Sequence, residues 1–230
     1  MRIDLSKYLT DRYLESQPGQ GFEGPVLTIA REFGCPAKKL ASRLASQLTR
    51  MKGPGQKAID WRWINKEILS KSAKELQVDP SEIKYVFDYE TKSFFDEILT
   101  SQSKKYYKSD RKIRKTIASV IRNLASEGNV IIIGRGGVAI TRDIIKSLHI
   151  LIEAPLEWRA ARVSEKYCMK IEDAKKYALE IDKKREQFRD YFHGRGSDYT
   201  SFDVKFNAMT ISIDEMTESI IKMMQVRNLI

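Results

Sequence analysis

Short apolar runs alternate with longer segments of helical periodicity from Val26 onwards. Near-continuous apolar runs are typical of parallel strands that are covered on both faces. Five strands are predicted, at residues 26–30, 58–61, 130–133, 148–152 and 203–206. The intervals between them carry helical patterns, so the predicted fold class is α/β, with a five-stranded parallel sheet and helices on both faces.

Apolar positions three and four residues apart mark the helices of this fold. One stripe contains Leu40, Ala41, Leu44, Ala45 and Leu48, and a second contains Ile113, Ile117, Val120, Ile121 and Leu124. The last helix is predicted to begin at Ser212, where Glu215 three residues later completes a capping box.

Three regions depart from the simple alternation. Residues 1–24 predict a short helix and a Gly/Pro-rich linker outside the core, and residues 25–230 predict a single domain. Three helical patterns, 63–76, 81–99 and 112–127, fall between the second and third strands, where one crossover helix would suffice. They predict a helical acceptor-binding insertion at about 62–128 or, alternatively, ordinary packing helices. A lid is predicted at about 170–202.

Charge narrows the choice of ligands. The 230 residues include 41 Lys and Arg against 31 Asp and Glu, a formal charge of +10. Such a surface attracts polyanions, so bound nucleoside phosphates are favoured, and nucleic acid is a less favoured alternative. The apolar runs are too short to span a membrane, and the two cysteines predict no disulfide framework. We therefore expect a cytoplasmic protein without a membrane partner.

The segment after the first strand has the layout of a phosphate-binding loop. A buried strand leads into a turn at Gly34 and then into an amphipathic helix, whose N-terminus favours anions. The pattern G-x-x-x-x-G-K-[ST] is not met, because Ala37 and Lys38 occupy the Lys and Ser/Thr positions. Three cations lie close by in the sequence, and we hypothesise that one of them replaces the missing lysine: Arg31, Lys38 and Lys39.

The segment VIIIGRGG places Arg135 at the carboxyl end of a strand that is expected to neighbour this loop. The flanking glycines, including Gly136, permit a ligand to approach the backbone closely. The planar guanidinium suits phosphate oxygens. The alternative interpretation is a strand-end turn with a solvated arginine.

A third candidate lies on the helix predicted from residue 171. Arg185 interrupts an apolar stripe formed by Ile171, Ala174, Ala178, Ile181, Phe188 and Phe192. Asp182 and Arg189 lie one turn before and after it on the same face. Together these three residues form a candidate clamp for a transferring phosphoryl group. The alternative is a snorkelling arginine in a local ion pair.

Other reactive side chains give weaker signals. His149 lies in an apolar strand and is interpreted as a core histidine with satisfied hydrogen bonds. Cys35 and Cys168 do not have metal-ligand spacing with the histidines, so no metal-binding residues are assigned.

The order of these motifs resembles the cytidylate kinase-like family, a branch of the P-loop nucleoside monophosphate kinases. TIAREFG, AKKLASRLASQL, VIIIGRGG, LILIEAPLEWRAARV and the Asp182–Arg185 helix carry the resemblance, which covers about residues 25–228. The segment WRWINKEILSKSAKEL resembles the family's entry into its acceptor subdomain, with Asn65 where an Asp is common.

This resemblance implies a kinase with an ATP-binding core, a helical acceptor-binding insertion and an arginine-bearing lid. It implies transfer of the γ-phosphoryl group of ATP-Mg²⁺ to CMP or dCMP, so a nucleoside triphosphate and a monophosphate are the expected partners. The loop containing Arg31, Gly34, Lys38 and Lys39 would hold the ATP phosphates. Arg135, next to Gly136, would grip the acceptor phosphate, and Asp182, Arg185 and Arg189 would act from the lid.

Two further positions depart from the family pattern. Gly136 stands where an Asp usually follows the Gly-Arg pair, and Ala178 stands four residues before Asp182, where an Arg is usual. The expected function is thus a nucleoside monophosphate kinase-like phosphotransferase. The alternatives are a catalytically inactive nucleotide-binding or regulatory protein of the same fold and, less favoured, a nucleic-acid-binding module.

Overall fold

Five parallel strands form one sheet in a computed structural model, which describes residues 25–51, 60–65, 67–80, 110–193 and 201–230. The strands are β1 (Val26–Arg31), β2 (Arg62–Ile64), β3 (Val130–Ile133), β4 (Ser147–Glu153) and β5 (Val204–Asn207). The helices are α1 (Ala37–Arg50), α2 (Glu67–Leu76), α3 (Asp110–Ser126), α4 (Gly137–Ile140), α5 (Leu156–Tyr167), α6 (Ile171–His193) and α7 (Ile213–Val226).

The sheet order is β2-β3-β1-β4-β5, so β1 lies at its centre. Val26 pairs with Val130 of β3, and Arg31 at the other end of β1 pairs with Ile152 of β4. Because all strands run the same way, the carboxyl ends of β1, β3 and β4 meet at one edge, where ligands bind in open α/β sheets. The predicted fold class is confirmed.

Each face of the sheet is buried under helices, which explains the continuous apolar runs of the strands. Leu27 and Ile131 point to the face covered by α1 and α7, whereas Val26 and Val130 point to the face covered by α2 and α3. The two predicted stripes on α1 and α3 are buried throughout. A third cluster joins Phe33, in the loop after β1, to α5 and α6.

The second strand and the helix after it are not where the sequence pattern placed them. The strand predicted at 58–61 is found at Arg62–Ile64, and the helix predicted from residue 63 begins at Glu67. Trp63 and Ile64 pack on opposite faces of the sheet, a period-two pattern that three residues are too short to reveal in the sequence. Residues 58 and 59, the helix predicted at 81–99 and the extension at 1–24 lie outside the described residues.

The ends of the helical pattern are also informative. The capping box is confirmed, since the Ser212 hydroxyl accepts the Glu215 N–H and the Glu215 carboxylate accepts the Ser212 N–H. Ile171 is 44% exposed, so the buried stripe of α6 begins at Ala174. Among the described residues, no helix has the length and apolarity that a membrane crossing requires.

The same leucine-to-alanine change at a buried and at an exposed helix position should distinguish the contribution of burial from that of helix propensity. Leu44→Ala, at a fully buried position of α1, should lower the free energy of unfolding by about 2–5 kcal/mol because it leaves a cavity. Leu179→Ala on α6 is the matched control, because Leu179 is 52% exposed, and its effect should stay within about 0.5 kcal/mol. Urea unfolding measures both, and equal losses would contradict the assigned core.

Candidate active site

The loop between β1 and α1 turns at Gly34 against the backbone of α5. Gly34 has a φ of 95°, and a Cβ there would lie 3.0 Å from both the Cβ and the carbonyl oxygen of Arg159. The left-handed backbone and this close approach both require glycine. The loop is therefore packed tightly on one side, against α5, and only its other side faces a cleft.

The first turn of α1 offers N–H donors to that cleft. The first i to i−4 bond of the helix joins the Leu40 N–H to the Pro36 carbonyl, so the N–H groups of Lys38 and Lys39 precede the helical ladder. Both lysine side chains are exposed, and the first turn contains no acidic residue. By contrast, Ala37, at the position of the missing lysine, is only 3% exposed and belongs to the core. This helix end suits an anion.

The loop is held by the buried guanidinium of Arg159, which is 4% exposed. Its Nη1 donates to Asp182 Oδ2 at 2.6 Å and to the Phe33 carbonyl at 3.1 Å. Its Nε donates to the Ala154 carbonyl at 2.8 Å and lies 3.1 Å from Glu32 Oε2. Asp182 Oδ1 in turn accepts the Phe33 N–H at 2.7 Å. One cation thus joins the loop to β4, α5 and α6.

Glu32 is the second carboxylate of this arrangement. Its Oε2 accepts the Ala154 N–H at 3.0 Å, which ties the loop to the end of β4. Burial raises the pKa of the Glu32 carboxyl, and the Ala154 N–H and Arg159 offset part of that rise.

Sequence reasoning missed Arg159, Glu32 and Phe33. A signal for Arg159 was present, because it shares the buried face of α5 with Ala160 and Val163. The same signal, an arginine on an apolar stripe, had singled out Arg185. The actual partner of Arg159 on α6, Asp182, lies 23 residues away, and that pairing depends on how the two helices dock.

The turn after β3 is left-handed over three successive residues. Gly134, Arg135 and Gly136 have φ values of 65°, 58° and 69°. A side chain in this region is strained, and such strain is concentrated at functional sites. A Cβ at Gly134 would collide with Nη1 of Arg31, so the Arg31 guanidinium lies directly over this turn. A Cβ at Gly136 would lie 3.1 Å from the ring of Phe192 on α6.

Four arginines line a small space between this turn, β1 and α6, which we call the arginine cavity: Arg31, Arg135, Arg185 and Arg189. Its volume is about 40 Å³, which is room for roughly three water molecules. Burial lowers the pKa of the Arg189 guanidinium, and the nearby charge of Arg185 acts in the same direction. The carboxylates of Glu186 and Asp190 offset part of this lowering.

A larger space of about 580 Å³ lies beside the loop, and we call it the phosphate-loop cleft. Residues 31–39 form one wall, and Arg162, Lys166 and Tyr167 of α5 form another. Arg31 and Arg185 line both this cleft and the arginine cavity. The structure therefore brings eight of the nine predicted residues together in two adjoining groups, whereas Asp182 lines neither space and binds Arg159 and the Phe33 N–H instead. Arg31, Gly34, Lys38 and Lys39 lie in the cleft, whereas Arg135, Gly136, Arg185 and Arg189 lie around the cavity.

His149 is the core histidine that the sequence predicted. It is 6% exposed, and its Nδ1 and Nε2 lie 2.8 Å from Thr28 Oγ1 and 3.1 Å from Ser147 Oγ. The Ser147 hydroxyl donates to the Ile144 carbonyl, so Nε2 carries the proton of this ring. The ring is therefore held by hydrogen bonds inside the sheet.

The parallel sheet of order β2-β3-β1-β4-β5, with a glycine turn after its central strand, has the fold of the P-loop kinases. The model of the cytidylate kinase-like family matches residues 26–209, and the chain belongs to this family. Comparison with curated proteins found no match.

Two solved structures share the fold. An uncharacterized protein from Eubacterium ventriosum ATCC 27560 is 20% identical, with a TM-score of 0.60 over 89% of this chain and 99% of that chain. Shikimate kinase from Bacteroides thetaiotaomicron is 11% identical, with a TM-score of 0.50 over 87% of this chain and 98% of that chain. At these identities the likeness shows the fold alone.

Removing the buried guanidinium should lower the free energy of unfolding far more than removing a guanidinium on the surface. Arg159→Met should lower the free energy of unfolding by about 3–5 kcal/mol, because Asp182 and Glu32 lose their shared cation. Arg122→Met is the matched control, since the Arg122–Asp143 pair is 43% and 48% exposed, and about 1 kcal/mol or less is expected. Urea titrations of both variants test this, and an Arg159→Met protein as stable as the control would contradict it.

The two cysteines should differ sharply in reactivity. Burial raises the pKa of the Cys35 thiol to about 12, whereas Cys168 is exposed. At pH 8 Cys35 in a Cys168→Ser variant should react with N-ethylmaleimide on the order of 10³-fold more slowly than an ordinary thiol. Its rate should rise about tenfold per pH unit from 7 to 10, because the thiol stays mostly protonated and its small thiolate fraction grows tenfold with each unit. Mass spectrometry follows the adduct, and rapid labelling in the folded state would refute the assigned environment.

Proposed function

We propose that the protein is an ATP-dependent phosphotransferase that transfers the γ-phosphoryl group of ATP to the phosphate of a pyrimidine nucleoside monophosphate, CMP or dCMP. The observation that carries the proposal is that Arg31 and Arg185 line both the phosphate-loop cleft and the arginine cavity. A triphosphate in the cleft would end where an acceptor phosphate in the cavity begins.

Each group of residues then has a task. Gly34 and the first turn of α1 hold the ATP phosphates, with Arg31, Lys38 and Lys39 supplying positive charge. Arg135 grips the acceptor phosphate, and the turn at Gly136 brings the backbone close to it. Arg185 and Arg189 stabilise the charge that spreads over the transferring group, and Asp182 holds the lid helix on the loop.

The reaction needs alignment more than covalent chemistry. An oxygen of the acceptor phosphate attacks the γ-phosphorus, and the bond from that phosphorus to the β,γ-bridging oxygen breaks. ADP leaves with that electron pair, and no redox step occurs. The protein contributes by holding both phosphates in line and by excluding water.

Among the residues that the structure describes, no cluster of three or more His, Cys, Asp or Glu could hold a metal by itself. Glu32 and Glu165 line the cleft, and Mg²⁺ in phosphate sites is commonly bound by one or two carboxylates together with substrate phosphates. The residues therefore fit a cation that arrives with ATP, with Glu165 or Glu32 as the carboxylate that would hold it. When bound, Mg²⁺ would neutralise negative charge on the ATP phosphates. Use of ATP and two free cysteines agrees with a cytoplasmic location.

The second candidate function is that of a catalytically inactive nucleotide-binding protein. It is favoured by Ala37, a buried side chain without charge at the lysine position, and by Lys38 where Ser or Thr would contact Mg²⁺. The charge of +10 keeps nucleic acid as the third candidate. Steeply salt-dependent retention of oligonucleotides would favour the third, whereas retention unchanged from low to moderate salt would exclude it.

ADP release in a coupled assay tests the proposal, with ATP-Mg²⁺ and each of CMP, dCMP, UMP and AMP. We expect turnover with CMP or dCMP. Arg185→Ala should lower kcat by about 10²–10³-fold, because its guanidinium would act mainly on the transition state. Arg135→Ala should chiefly raise the KM of the acceptor.

Arg122→Ala is the control, since Arg122 pairs with Asp143 on the surface, and it should leave both constants unchanged. Calorimetric heat with ATP but no ADP release from any acceptor would favour the inactive alternative. Absence of both would overturn the enzyme assignment.

A further inference from the structure

Phe33, in the loop between β1 and α1, is buried and contacts several residues of the candidate site through its backbone and its ring. The residue is 5% exposed, and its N–H and carbonyl are bound by Asp182 and Arg159. Its ring makes an edge contact with Tyr177 at 5.2 Å and stacks with Tyr167 at 6.2 Å between ring centroids. The ring therefore has little freedom to move.

One face of this ring lies against Arg185. The guanidinium carbon of Arg185 is 5.3 Å from the Phe33 centroid, within the range of a cation–π contact. Nη1 of Arg185 donates to the Arg31 carbonyl at 3.2 Å and lies 3.7 Å from Asp182 Oδ1. Ring and oxygen acceptors thus approach the same guanidinium, whose side chain is 11% exposed.

An aromatic wall and a carboxylate hold an arginine in different ways. A carboxylate occupies N–H donors and cancels the charge, whereas a ring attracts the cation through its quadrupole and uses no donor. Arg185 lines both the phosphate-loop cleft and the arginine cavity. The proposed function requires its positive charge and its N–H donors for the transferring phosphoryl group. A leucine of similar bulk would fill the space without that attraction.

We propose that Phe33 is a positioning residue, whose ring face fixes the guanidinium of Arg185 between the two phosphate sites. The inference rests on the proposed function, because it assigns Phe33 a role through Arg185 in phosphoryl transfer. It also gives the residue before Gly34 a defined task, where the pattern of phosphate loops accepts any residue.

Steady-state kinetics of Phe33→Leu and Phe33→Tyr, with CMP and ATP-Mg²⁺ as substrates, test the inference. We expect Phe33→Leu to lower kcat roughly tenfold, equivalent to about 1.4 kcal/mol, with the KM of ATP changed less than about twofold. Phe33→Tyr keeps the ring face and should therefore have the kcat of the wild type. In an Arg185→Ala background, Phe33→Leu should have no further effect on kcat.

Phe206→Leu is the matched control, because Phe206 is 6% exposed and lies in a different core cluster from Phe33, among residues of α1 and α7. It should lose stability in urea as Phe33→Leu does but keep its kcat. A kcat that falls equally in both leucine variants, or that falls in Phe33→Leu and is not restored by Phe33→Tyr, would overturn the inference.

A spectroscopic measurement separates this inference from the proposed function. In ¹⁵N-arginine-labelled protein the Arg185 Nε–H signal, assigned by its loss in Arg185→Lys, should be shifted upfield by the Phe33 ring current. The shift should persist in Phe33→Tyr and disappear in Phe33→Leu. If the wild type turns over no monophosphate, the proposed function fails while this signal still decides the positioning. A signal unchanged by Phe33→Leu would refute it even in an active enzyme.

Discussion

The buried guanidinium of Arg159 is the contact on which the rest of the site depends. It joins the carboxylates of Asp182 and Glu32 to the carbonyls of Phe33 and Ala154, so four parts of the fold meet at one charge. Isolated, such a charge would be costly to bury, but here its donors have acceptors. Because Asp182 also accepts the Phe33 N–H, α6 and the loop are held as one unit.

This anchoring explains how a loop without the usual lysine still presents positive charge. Asp182 and Glu32 bind Arg159, while Arg31, Arg135, Arg185 and Arg189 line the arginine cavity. Arg185 also lies 3.7 Å from Asp182 Oδ1. Burial beside the cavity lowers the pKa of Arg189, which marks a cost to its charged form. The strained backbone at Arg135 is a further cost of this arrangement. Both are costs that phosphate binding would offset.

Much of the architecture was predictable because it rests on local periodicity. The buried stripes of α1 and α3, the core position of His149 and the capping box at Ser212 all follow from the spacing of residues a few positions apart. The second strand was misplaced because Trp63 and Ile64 lie in a three-residue strand, and strand and helix patterns do not differ over so short a run. The limits of the insertion and the lid stay predictions.

By itself the sequence determined the strand order along the chain, the glycine turn and the set of cations near it, since these depend on residue type and spacing. It also singled out Arg185, because a charged residue on an apolar helical stripe can be recognised from residue spacing alone. Only the tertiary structure decided which cations meet. The guanidinium of Arg31 lies over Gly134, whereas Lys38 and Lys39 are exposed at the N-terminus of α1. Asp182 binds Arg159 and the loop, because helix docking brings together residues far apart in the chain.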